Sequence, residues 1–132
     1  MLLNGKKFYK ELEGYYQKEN YEGVREYLEE QEKNLKCAVM PAAGLGCAAC
    51  AGDPDEEGLT NETREWIINR NQCIAIVTYE QGRLLQNQKK WTESIKKYED
   101  AKALMERNYM TDLSIYDALK KNIQFIRMQE EG

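Results

Sequence analysis

Both prolines of this chain, Pro41 and Pro54, fall within one stretch, and on either side of it apolar residues recur at helical spacing without a break. Proline removes a backbone donor and clashes with the preceding turn, so its confinement leaves two long segments free to be helical. In the first, Phe8, Leu12, Tyr15 and Tyr16 form one series, and Val24, Tyr27, Leu28 and Leu35 a second one after Glu19-Asn20. This predicts a helical hairpin over residues 4–36, with Asn20 capping its second helix and Gly23 allowing close approach. In the second segment a capping side chain at Thr60 or Asn61, followed by Glu62 and Glu65, predicts the start of a long helix. Its stripe runs through Trp66, Ile67, Arg70, Cys73, Ile74, Val77, Leu84 and Leu85 to about Gln88, with Gly82 as its weak point. A helix from Lys90 to Arg107 carries Trp91, Ile95, Tyr98, Ala101, Leu104 and Met105, and a last one from about Thr111 to Gln129 carries Ile115, Leu119, Ile123 and Ile126. The expected fold is all-α, about five helices in a single domain spanning 1–132: the hairpin 4–36, an irregular loop 37–59, a long helix plus second hairpin 60–108, and a closing helix 109–130.

The loop differs in kind from the rest. Cys37 to Gly52 holds no charge, and four of its sixteen residues are glycine or proline, so no regular helix runs through it. The acidic turn Asp53-Pro54-Asp55-Glu56-Glu57-Gly58 follows, and together they exceed most loops of compact domains, which points to function or mobility.

Charge narrows the function classes. Residues 1–36 carry 7 basic and 8 acidic groups and residues 61–132 carry 12 and 11, so the net charge of −4 sits almost wholly in that acidic turn. Two near-neutral helical portions supply no field to gather nucleic acid or anionic lipid, and Lys89-Lys90 and Lys96-Lys97 read as solvated helix surface. No apolar run reaches the length of a membrane span, and Met-Leu-Leu-Asn-Gly-Lys-Lys has no apolar stretch after its basic pair, which predicts a cytoplasmic protein. The chain has no histidine, the commonest general base and metal ligand, and no phosphate-loop or serine-nucleophile motif. The expectation is a protein that is not an enzyme.

One spacing carries more. Gly82, Leu85, Trp91, Ser94, Tyr98 and Ala101 place a glycine, a large apolar residue, a turn aromatic, a small residue, an aromatic and a second small residue at the intervals of a tetratricopeptide repeat. The small residues let antiparallel helices approach, while Leu85 and Tyr98 fill the space between them. The chain therefore resembles the tetratricopeptide repeat family over this hairpin, and more weakly over the first. There Leu12, Tyr15, Tyr21, Val24, Leu28 and Gln31 fall seventy residues earlier, with the glycine and both small residues lost. Seventy is about twice the usual repeat length of roughly 34, so the loop and the start of the long helix take the place of a middle repeat. The family's closing proline is absent after Met105, and Thr78 stands in place of its leading tryptophan.

The resemblance implies antiparallel hairpins stacked as a short solenoid, a closing helix, and a concave face that holds a protein or peptide without catalysis. Carried over position by position, it turns Tyr9, Glu13, Tyr16, Tyr79, Arg83, Gln86, Asp117 and Lys120 toward that groove. Solvated or core roles compete at each. The lysine-asparagine-arginine clamp by which one subgroup holds a terminal carboxylate is not reproduced, Tyr79 and Arg83 occupying those places. Self-association is open; nucleic acid and membrane are not expected partners.

Cys47-Ala-Ala-Cys50 supplies the competing class, a thiol-dependent metal or redox protein, because two intervening residues let both sulfurs reach one ion or one disulfide. A full zinc site would need Cys37 and Cys73 as well, and neither a second pair nor a βαβ setting is present. No metal is favoured and no cofactor expected. A third role for the loop is a regulatory or substrate-like segment recognised by another protein.

Overall fold

Three helix starts follow from side chains that satisfy the free N–H groups of a first turn. Asn4 accepts from the Lys7 N–H at 3.2 Å, Asn20 from the Gly23 N–H at 2.9 Å, and Thr60 from the Thr63 N–H at 3.1 Å. The structure, a computed structural model, describes residues 2–38, 53–55 and 57–131, and these contain five helices and no strand. They are α1 (Gly5–Gln17), α2 (Tyr21–Lys36), α3 (Asn61–Asn87), α4 (Trp91–Arg107) and α5 (Ser114–Glu131). The all-α expectation is met. The last helix begins at Ser114 rather than near Thr111, because Met110 and Leu113 close a turn through the Leu113 N–H to Met110 carbonyl bond of 3.1 Å. Most of the irregular loop lies outside the described residues.

Helices consecutive in sequence pack on one another, the most extensive contact being α3 on α4. Two apolar clusters result, both founded on α3. Phe8, Leu12, Val24, Leu28 and Leu35 close on Cys73, Ile74, Val77 and Leu84 from one side. From the other, Tyr98, Met105, Leu119, Ile123 and Ile126 close on Ala75 and Tyr79. Each large side chain fully buried in this way contributes about 1.5–3 kcal/mol by the area it removes from water. α3 is thus enclosed along most of its length, which explains why its polar residues Arg70, Asn71, Thr78, Glu80 and Gln81 are buried with the apolar ones. Thr78, for example, returns its hydroxyl to the Ile74 carbonyl at 2.8 Å.

The α3–α4 packing turns on one glycine. A Cβ on Gly82 would lie 2.7 Å from both Cδ1 and Cε1 of the Tyr98 ring, so only a glycine lets that ring lie on the helix backbone. The ring is fully buried and its hydroxyl donates to Gln86, while the Ser94 hydroxyl donates to the Gly82 carbonyl at 2.7 Å.

The turns after α1 and α3 share their backbone hydrogen bonds, at an offset of 70 residues (17 to 87, 21 to 91). In the first, the N–H groups of Glu19 and Asn20 donate to the carbonyls of Tyr16 and Tyr15. In the second, those of Lys89 and Lys90 donate to Gln86 and Leu85, at the same distances of 3.0 and 2.9 Å. Glu19 and Lys89 occupy the left-handed region at φ 53° and 60°. This is the Schellman geometry, with non-glycine residues at the position where glycine is usual.

Two glycine substitutions separate packing from propensity. Gly82→Ala is expected to lose about 1–3 kcal/mol in urea unfolding through overpacking against Tyr98. Gly14→Ala, within α1 and with nothing inside 4 Å of the new Cβ, is expected to gain about 0.5–1 kcal/mol. Equal effects at the two positions would contradict the packing described.

Candidate functional site

A cleft of about 310 Å³ opens between α1, from Tyr9 onward, and the C-terminal part of α3. α1 brings Tyr9, Leu12, Glu13 and Tyr16, one side of the helix by their spacing, and α3 brings Glu80, Arg83 and Asn87 at intervals of three and four. At its centre lies Glu80, a carboxylate only 1% exposed. The Tyr9 hydroxyl donates to Glu80 Oε2 at 3.2 Å, and Arg83 Nη1 donates to Oε1 at 3.0 Å. Burial pushes the Glu80 carboxyl above its ordinary value, opposed by the Arg83 guanidinium and the Tyr9 hydroxyl. The same burial, reinforced by the negative charge of Glu80, raises Tyr9 well above the usual phenol range and pushes Tyr16 up to about 12. Both tyrosines therefore stay neutral, Tyr9 as a donor to Glu80. The Tyr16 hydroxyl is shut off from water and makes no hydrogen bond of ordinary geometry, with the Asn87 side chain as its polar neighbour.

Four of the residues predicted for a groove meet here: Tyr9, Glu13, Tyr16 and Arg83. Tyr79 is buried toward α5 instead, its ring 5.6 Å from that of Tyr98 and its hydroxyl accepting from Asn122 Nδ2 at 3.3 Å. Gln86 accepts the Tyr98 hydroxyl proton, which commits it to the α3–α4 contact. Asp117 and Lys120 pair with each other at 3.8 Å, and Lys120 lies 4.8 Å over the Tyr116 ring. Lys120 lines a separate cleft between α4 and α5 with Glu99, Glu106 and Arg127. Sequence reasoning passed over Glu80 and Asn87. The signal for Glu80 was present: it is the only charged residue between Arg70 and Arg83.

A larger cleft, about 520 Å³, runs past Asp53, Arg70, Asn71 and Arg107. Its polar floor has a structural task. Asn71 Nδ2 donates to Asn108 Oδ1 at 3.2 Å, Gln72 to the Asn108 carbonyl at 2.7 Å, and Asn108 Nδ2 to the Leu104 carbonyl at 2.8 Å. Together they fix the turn into α5.

Cys47 and Cys50 lie outside the described residues. Cys37 is exposed at the end of α2, whereas Cys73 is buried, and burial raises its thiol above the ordinary value, which disfavours the reactive thiolate. Among the described residues no group of three or more cysteines and carboxylates is placed to hold a metal ion, and no helix is long and apolar enough to cross a membrane.

Comparison with protein-family models, with curated proteins and with solved structures found no match to this chain.

Because the Glu80 carboxyl holds its proton more tightly in the folded protein than unfolded, its contribution is most favourable at low pH. That contribution declines as pH rises from the ordinary glutamate value through the folded one. Urea unfolding measured across this window is expected to show a decline in wild type that Glu80→Gln lacks; parallel curves would contradict the burial argument.

Proposed function

We propose that the chain is a short tetratricopeptide-like module that holds a protein or peptide in the groove between its odd-numbered helices, without catalysing a reaction. Three features support the solenoid reading. Consecutive helices pack as successive antiparallel neighbours, the same turn recurs after α1 and α3, and side-chain hydrogen bonds link the odd-numbered helices. Tyr9 of α1 bonds Glu80 of α3, and Asn122 of α5 bonds Tyr79 of α3. In such an array α1, α3 and α5 form the concave layer, and α2 and α4 the convex one.

The observation that carries the binding role is Arg83, held at the cleft by a buried carboxylate. A guanidinium is costly to immobilise, and Glu80 does so while leaving its side chain 46% exposed. Beside it Tyr9 is 41% exposed, an aromatic side chain of large area with few rotatable bonds. A rigid aromatic and a pre-positioned Arg83 are the side-chain types that dominate binding energy at interfaces. In this reading the protein acts in the cytoplasm, and the partner contributes an extended segment or a helix.

Affinity capture with wild type and with Tyr9→Ala/Arg83→Ala tests the assignment, circular dichroism confirming that the helices are retained. The double variant is expected to lose its partners by tenfold or more, in keeping with about 1–2 kcal/mol for each anchor. Asp117→Ala/Lys120→Ala, on α5, is expected to keep them. Retention of every partner by the first variant would rule out this groove.

A further inference from the structure

We infer that the α1–α3 cleft is selective for a basic side chain, a lysine or arginine carried by the bound segment; this rests on the binding role proposed above. The inference comes from the charges left unbalanced in the cleft. Arg83 has its counter-charge in Glu80, at 3.0 Å, so that pair is neutral as a unit. Glu13, on the facing wall, accepts a hydrogen bond from Gln17 Nε2 at 3.2 Å and forms no ion pair among the described residues. The uncompensated side-chain charge of the cleft is therefore negative.

The helix ends add to it. α1 stops at Gln17 and α3 at Asn87, so the last turns of both helices border the cleft, with their carbonyl ends and partial negative charge. Neither last turn carries a basic residue; Lys18, at the cap of α1, and Lys89 and Lys90, beyond α3, are exposed and do not line the cleft. A carboxylate entering the cleft would meet two carboxylates, two helix C-termini and a single guanidinium already paired. A cation meets the reverse, and in addition the partly exposed Tyr9, an aromatic residue whose π electrons attract an ammonium or guanidinium group. Glu80 itself is too deeply buried to touch a ligand; it holds Arg83 and contributes its field.

Three acetylated and amidated tripeptides, with alanine flanking arginine, citrulline or glutamate, serve as probes. Citrulline keeps the size and planarity of arginine without its charge. Binding is followed by NMR through the Arg83 Nε–H and the Tyr9 ring signals of the full-length protein. The arginine peptide is expected to bind about three- to tenfold more tightly than the citrulline peptide, with glutamate weakest, and the gap is expected to narrow in high salt. Glu13→Gln should reduce the arginine preference while leaving the citrulline affinity in place. Citrulline equal to arginine, or glutamate equal to either, would overturn the charge selectivity while leaving the cleft a binding site. Absence of binding by all three would also overturn it, and the capture experiment would still decide the binding role independently.

Discussion

The enclosure of α3 is the constraint on which the remaining packing depends. A helix of 27 residues with apolar clusters on two sides cannot be stable alone in water, and each of its sides needs a partner of matching relief. On the α4 side the match is made by lowering one surface rather than raising the other: Gly82 offers bare backbone, the Tyr98 ring covers it, and Ser94 occupies the Gly82 carbonyl. On the α1 and α2 side, Phe8, Leu12, Val24 and Leu28 interdigitate with Ile74 and Val77 in the ordinary way. Close backbone approach brings α3 and α4 into the most extensive contact of the molecule, and α5 then docks on the surface they build.

Enclosing a helix also commits whatever polar groups it carries. Leaving a buried polar group without a hydrogen bond costs about 1–3 kcal/mol, and the polar residues of α3 avoid most of this in different ways. Thr78 bonds within its own helix, while Asn71 and Gln72 reach Asn108. Glu80 draws its partners from α1 and from the next turn of α3. Asn71, Thr78 and Asn108 line the larger cleft with neutral side chains, whereas the Glu80 arrangement ends in a half-exposed guanidinium.

Much of the fold was legible in sequence because it rests on local rules. The caps at Asn20 and at Thr60 or Asn61, the breaks at Glu19-Asn20 and near Gln88, and the apolar stripes of all five helices follow from spacing and from proline placement. The start of α5 was misjudged by about one turn because Thr111 and Asp112 have capping chemistry, yet the turn there is set by the backbone bonds of Met110 and Leu113. At the groove, position on the helix found Tyr9, Glu13, Tyr16 and Arg83. It could not show that Tyr79 would be drawn under α5 by Tyr98 and Asn122, or that Gln86 would serve the Tyr98 hydroxyl, because both depend on how far α5 and α4 lean over α3. Glu80 escaped notice for a related reason: an acid in an apolar run is informative only once the run is known to be enclosed.

The two matching turns differ in one respect. Asn20 secures the start of α2 with its own side chain, whereas Lys90, in the equivalent place before α4, makes no such bond. The first bend is thus written into its immediate sequence, and the second is held by the helices it joins, through Gly82, Ser94 and Tyr98. One hairpin is specified from within and the other by assembly, so the two halves of the molecule stand in different relations to their neighbours even though their turns share the same backbone bonds.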